Sequence, residues 1–344
     1  MTCIYVIKSN KEPKATVVET INKEKVEIYE ETKSNVDKEF NIAVVGDVMM
    51  GGKIGEKLSY NYMSAFKNIA QYTSKADYTI CNLTTNIIDL PKINDVKSKY
   101  ITTKKVVNAL NALGIDGINI ASDHMLDFGI DVFNDTKNIL KDDYDLIGTK
   151  DNITYIENDG IKVAVIGVTN EVIGNTKDFN DANIMTYNLK KIKSMINTAK
   201  QNANTVILMT HLGLENSHTV TNVMTWFYKE LINYGADIVL GSHALGMYPI
   251  EEYKSKYIIY SMGYFMSDTD YDVGKKSAIF DLTVDKDGNL KKIQITPVYI
   301  NAKCQTILYE DYNKADANKF VKYLTSNIKD YIVQENKIVI NIDK

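Results

Sequence analysis

NIAVVGDVMMGG, residues 41–52, runs four apolar residues into Gly46, places Asp47 directly after it and closes on a glycine-containing turn. This is how a buried parallel strand delivers one carboxylate to the carboxyl edge of a sheet, where open α/β folds place their sites. Three other stretches offer partners at the ends of apolar, strand-like runs. They are NIASDHMLDFG at 119–129 with Asp123 and His124, ILMTHLGLE at 207–215 with His211, and DIVLGSHALG at 237–246 with His243. If these ends share one edge, they build one polar site.

Outward from this stretch the chain alternates. The patterning predicts strands at 41–46, 78–82 and 117–121, and helices at 60–73, 104–113 (ending at Gly114) and 129–141. In NITYIENDGIKVAVIGVT, residues 152–169, the NDG between two strand-like runs predicts a hairpin. A helix at 188–202, the strand TVILMT at 205–210, a helix at 220–234 ending at Gly235 and the strand ADIVLG at 236–241 continue the βα pattern. The period then changes to a β meander: PIEEY, KYIIYSMG, SAIFDLTV, the turn DKDGN and LKKIQITPVYI. A helix at 313–329 and the alternating KIVINI close the chain. The fold class expected is α/β, with two mixed sheets packed face to face and helices outside.

Residues 8–39 are rich in Lys, Glu, Asn and Thr and read as a solvated tether, so compact structure is expected from about Phe40. The expected division is a tether at 1–39, a main domain at 40–300 and a C-terminal α/β extension at 301–344. The short apolar start MTCIYVIKSN fits the stub of an anchor or signal as well as a plain terminus.

A net charge of −4 gives no reason to expect nucleic acid as a partner. All 40 basic residues are Lys. An anionic substrate would therefore meet no guanidinium fork, only Lys point charges, backbone amides or a metal. Cys3, Cys81 and Cys304 are too scattered for a disulfide framework or a cysteine metal site.

GDVMMGGK approaches the P-loop pattern without meeting it, which leaves the amides of Gly51 and Gly52 as a weak phosphate cradle. His124, flanked by Asp123 and followed by Asp127, has the neighbours a general acid needs. Glu215 can support His211 or bind a substrate amine; as a loop residue it can equally be solvated charge. His218 lies in a polar loop and reads as exposed.

With these residues in place the chain resembles the CapA family, the poly-γ-glutamate capsule synthesis proteins, whose domain is similar to calcineurin-like metallophosphoesterases. Six motifs match in order over about residues 40–268. GDVMM at 46–50 resembles the family's opening GD, CNLTTN at 81–86 its NLE, and NIASDHMLDFG its ANNHxxDYG. THLGLE at 210–215 resembles HWGxE, GADIVLGSHALGMYPIEEY at 235–253 resembles GADxVxGHHPHxxxxxE, and IIYSMGYF at 258–265 resembles IxYSLGNF.

The resemblance implies a four-layer α-β-β-α sandwich, a divalent metal and a membrane-tethered domain outside the cell. It also implies an anionic polymer or phosphoester substrate and membrane-embedded capsule synthesis proteins as partners. The departures narrow this. Thr84 stands where the family has the acid of NLE, Asp123 replaces the second Asn of NNH, Ser242 and Leu245 flank the retained His243, and Tyr264 replaces the Asn of GNF. What remains is Asp47, Asp123, His211 and His243, with Asn82 nearby: enough for one Mn, Fe or Zn ion and poor for two. Two functions are therefore expected in competition. One is metal-dependent, phosphoesterase-like hydrolysis or transfer with His124 and Asp127 handling the proton. The other is a decayed, metal-free scaffold or polymer-binding part of a capsule synthesis or export complex.

Overall fold

A computed structural model describes residues 38–89, 98–170, 176–214 and 219–342; the expected tether lies outside them but for its last two residues. The strand that opens the compact part, Glu39–Val48, sits in the middle of a ten-stranded sheet. It runs parallel to Tyr78–Leu83 on one side and antiparallel to Lys276–Asp285 on the other. Beyond Tyr78–Leu83 the sheet continues in parallel through Gly117–Asn119 and Asp145–Ile147. Beyond Lys276–Asp285 it continues antiparallel through Leu290–Ile300, Lys337–Asn341 and Ile332–Gln334.

A second sheet of six strands has the parallel centre Ile161–Thr169, Thr205–His211, Ile238–Ser242 and Lys256–Ile259. Thr154–Asn158 forms the predicted hairpin with Ile161–Thr169, and Glu251–Tyr253 closes the other edge.

Side-chain alternation explains why the two sheets face one another. Ile42 and Val44 of the first sheet and Val163, Val165, Ile207, Met209, Ile238 and Leu240 of the second share one buried cluster between the sheets. The intervening residues point outward: Ala43 and Val45 to one helical layer, Val206, Leu208 and Val239 to the other. The protein is a four-layer sandwich of helices, sheet, sheet and helices, as the sequence pattern implied.

Helices Leu189–Asn202 and Asn222–Tyr234 begin on side-chain caps. Asn188 accepts from the Lys191 amide at 3.0 Å and Thr221 from the Met224 amide at 3.2 Å. The expected helix at 60–73 is absent. The region holds Lys53–Lys57, a 3₁₀ turn at Tyr62–Ala65 and one α turn at Ala70–Thr73. Inside the expected span Asn61 (φ −91°, ψ 74°), Phe66 (φ −119°, ψ 4°) and Ile69 (φ −122°, ψ −9°) leave the helical region, so these turns do not join. The last helix, Tyr309–Leu324, is interrupted at Asn313 (φ −159°, ψ 101°), whose side chain accepts from the Asp316 amide at 3.2 Å. After a first turn from Tyr309 its main part thus starts where expected, and it ends at Leu324, short of 329. No helix among the described residues is long and apolar enough to cross a membrane.

Candidate metal centre

One extra residue in the first strand decides where Asp47 points. Val45 pairs with Cys81 but Asp47 pairs with Asn82, so Gly46 forms a bulge. Without it Asp47 would share the outward face of Ala43 and Val45; with it the carboxylate joins Asn82 on the face between the sheets. Glycine is required there, because a Cβ would lie 2.2 Å from the Gly263 carbonyl oxygen. On the second sheet His211 continues the inward face of Ile207 and Met209, and Ser242 pairs beside it. Parallel strand ends of both sheets thus meet at one edge.

The centre is a group of three donors, the buried Asp123 and His211 and the half-buried His243, with ligand atoms within 4.8 Å of one another. His211 Nε2 lies 2.7 Å from Asp123 Oδ1, His243 Nδ1 lies 3.2 Å from Asp123 Oδ2, and the two imidazole nitrogens are 3.3 Å apart. Asp47, which lines the small cavity at the centre, and Asn82, both expected as ligands, are tied to this group by hydrogen bonds that orient it. Asn119 Nδ2 donates to Asn82 Oδ1 at 2.6 Å, and Asn82 Nδ2 donates to Asp47 Oδ1 at 2.5 Å and lies 3.1 Å from His211 Nδ1. Asp47 Oδ2 accepts the His243 backbone N–H at 3.1 Å. His243 has a φ of +86°, unfavourable for a side chain with a Cβ, and that hydrogen bond helps hold it.

The two carboxylates differ electrostatically. Burial pushes Asp47 above its ordinary value, against the opposing pull of His211. Burial also disfavours the charge on Asp123, but His211 and His243 beside it outweigh burial and hold it well below the usual carboxylate range. Asp123 is therefore the committed anion of the centre.

The donor set fits one divalent ion: a carboxylate oxygen and two imidazole nitrogens suit Zn, Mn or Fe and leave positions open. Two hydroxyls support the fit. Ser242 Oγ and Thr84 Oγ1 are buried and meet no hydrogen-bond partner among the described residues, and Thr84 lines the small cavity of about 10 Å³ at the centre.

His124 stands at the rim. Its Nδ1 is 2.8 Å from Asp127 Oδ2, and its Nε2 is 3.6 Å from Asp123 Oδ2. Asp127 can hold the Nδ1 proton, leaving Nε2 facing the centre. Tyr100 stacks on the ring of His124, with centroids 3.4 Å apart at 13°. Tyr100 and Tyr264 both line the cavity, and Lys99 Nζ sits 4.9 Å and 5.8 Å from their ring centroids. In a chain without arginine, Lys99 puts a cation at this mouth.

Among the expected site residues, the structure gathers Asp47, Asn82, Asp123, His124, Asp127, His211 and His243. It gives Gly51 and Gly52 another task. The Gly52 amide donates to the Ser98 carbonyl at 2.7 Å, and a Cβ on Gly51 would collide with the carbonyls of Ser98, Lys99 and Ile101. The Asp268 carboxylate also accepts from the Lys53 amide at 3.2 Å, which makes this turn unwelcoming to an anion. The expected cradle is instead a packing joint that carries Lys99 and Tyr100. Glu215 and His218 lie outside the described residues. The sequence reading overlooked Asn119, Lys99 and Tyr100. Asn119 stands in the NIASDH motif and could have been flagged, whereas Lys99 and Tyr100 carry no local signal.

A family model of bacterial capsule synthesis proteins, PGA_cap, matches residues 41–269. The chain belongs to that family. Two relatives agree with this membership. The capsule biosynthesis protein CapA of Bacillus anthracis is 26% identical over 294 residues, covering 80% of this chain and 71% of its own. The PGA biosynthesis protein CapA of Bacillus subtilis (strain 168) is 26% identical over 331 residues, covering 90% and 84%. Among solved structures, a Staphylococcus aureus protein described as a 5′-nucleotidase, in complex with α-ketoglutarate, superposes with a TM-score of 0.53 at 17% identity. That match covers 79% of this chain and 54% of the other, so the chain spans about half of it and the likeness concerns the fold alone. This PGA_cap member thus has a metallophosphoesterase-like fold with its Asp/His/His group at the shared edge of the sheets.

Proposed function

We propose that this PGA_cap member serves poly-γ-glutamate-type capsule synthesis at the cell envelope as a tethered extracellular domain performing single-metal hydrolysis or transfer on an anionic polymer or phosphoester. Its partners on this reading are membrane-embedded capsule synthesis proteins. The observation that carries the reading is the Asp123, His211 and His243 group beside the His124–Asp127 pair. When bound, one Mn, Fe or Zn ion would supply Lewis acidity toward a carbonyl or phosphoryl oxygen. The chain's own residues do the rest. Asn82 and Asp47 fix the imidazole of His211 and the backbone of His243. His124, oriented by Asp127 and stacked on Tyr100, delivers a proton to the leaving group. Lys99 meets the negative charge of the substrate at the rim.

A second reading, a metal-free scaffold that binds polymer, draws on one observation. Thr84, Ser242 and Leu245 stand where the family resemblance places an acid and two imidazoles, and Leu245 packs into the apolar core. Elemental analysis of the purified chain, followed by titration of Mn²⁺ and Zn²⁺ into chelator-treated protein, separates the two. About one equivalent bound, with turnover abolished in His124→Ala but metal retained, is the expected result. Absence of specific metal binding would leave the scaffold.

A further inference from the structure

The segment following His243 lines a second cavity, larger than the one at the metal centre, of about 300 Å³. That volume lies at the low end of small-molecule pockets. One wall is Met247 and its neighbours. The facing wall is Tyr309, Phe320 and Tyr323 of the helix Tyr309–Leu324. The charged groups in the lining are Lys276, Lys319 and Asp316, and each ammonium has one carboxylate partner while keeping further N–H donors for a ligand. Lys319 pairs with Asp316 at 2.8 Å, and Lys276 with Asp272 at 2.6 Å. Asp272, outside the lining, also accepts from the Tyr299 hydroxyl at 2.9 Å.

An aromatic slot with ammonium groups matches a compact apolar body carrying one negative head. We propose that this cavity binds a small amphipathic anion, an aryl or alkyl carboxylate, and that its occupancy is linked to the metal centre. The linkage rests on the proposed function; the pocket does not.

The physical route for linkage is short. Leu245 to Tyr248 line the pocket, and His243, held at a φ of +86°, begins the same segment. Two hydrogen bonds fasten the helix to it: the Tyr323 hydroxyl donates to the Met247 carbonyl at 3.4 Å, and the Ile250 amide donates to the Leu324 carbonyl at 2.9 Å. A ligand wedged between helix and segment acts on the stretch of chain that positions His243. Any such coupling is reciprocal, so metal must shift ligand affinity by the same factor that ligand shifts metal affinity. The family-matched residues stop at 269, so the helix wall and both lysines belong to the C-terminal part of this chain.

The test is calorimetric titration of 4-phenylbutyrate, with uncharged 4-phenylbutan-1-ol as control, into the chelator-treated full chain. One saturable site is expected, with the acid at least fivefold tighter than the alcohol. Lys319→Gln, at an exposed side chain that leaves the fold intact, should lower that preference at least twofold, and Lys276→Gln/Lys319→Gln should erase it. No saturable binding overturns the proposal, as does a preference unchanged in a folded double variant or, if that variant fails to fold, in the single one. Repeating the titration with saturating Mn²⁺ should shift the dissociation constant at least threefold in wild type and leave it unchanged in His243→Ala. An unshifted constant with metal demonstrably bound overturns the linkage. A chain that binds the probe but no metal upholds the pocket and overturns the metal reading, so the two failures are distinguishable.

Discussion

Two acid clusters stand at opposite ends of the same strand, Ile238–Ser242, and they are satisfied by different chemistry. At its N-terminal end the buried Asp237 accepts from Lys200 Nζ at 3.1 Å, Lys256 Nζ at 2.5 Å and the Val206 amide at 2.8 Å. At the C-terminal end Asp123 and Asp47 meet imidazoles and amides. An ammonium has only donors, so the first cluster is closed. An imidazole has a lone pair to give, so the second can accept a cation. Burial alone therefore does not mark a site; what matters is whether the partners can exchange a proton interaction for a metal.

The largest expected effect breaks this comparison directly. His211→Ala should weaken Mn²⁺ or Zn²⁺ binding more than about 100-fold, beyond the 10- to 100-fold typical of outer-shell losses. Titration calorimetry measures it, and unchanged affinity would remove the C-terminal cluster as a metal centre. Next comes Asp237→Ala. It should cost about 1–3 kcal/mol of stability, because the Val206 amide loses its acceptor while both lysines can reach water. Urea denaturation reads this, and metal affinity should stay within twofold of wild type; a coupled loss of metal would mean the two ends are not independent.

The last effect, seen only across a pH window, concerns a third acid, Asp281, in the middle of the first sheet, where burial pushes the carboxyl up to about 6 against Gln294 and nearby lysines. Because the folded form holds a proton that the unfolded chain releases, stability falls as pH rises from about 4 to about 6 and stays lower above it. The difference in unfolding free energy between Asp281→Asn and wild type should grow across that window by about 1–3 kcal/mol. A flat difference would show that Asp281 titrates as a solvated acid, sharpening the contrast with the buried clusters.

Much of the site was legible because its residues end apolar runs. A strand that alternates faces must leave its last polar residue at a sheet edge, and His211 does so after Ile207 and Met209. The helix expected at 60–73 failed for a local reason, the non-helical backbone at Asn61, Phe66 and Ile69, which apolar spacing does not register. The phosphate cradle failed because Gly52 spends its amide on Ser98, 46 residues further along the chain. Lys99 and Tyr100 reach the site through that contact and two more of the same kind, the Thr85 hydroxyl donating to the Lys99 carbonyl at 3.1 Å and the Asn86 amide to the Tyr100 carbonyl at 2.8 Å.

The sequence by itself determined the two-sheet sandwich and the residue types available for chemistry, since hydrophobic period and turn chemistry act over neighbouring residues. Only the tertiary structure decided which of them act together. The bulge at Gly46 turns Asp47 inward, the Asn119–Asn82 relay orients His211, and the last helix closes a pocket against the chain that carries His243. Each depends on atoms brought together across the fold, where register, close backbone approach and burial set the geometry.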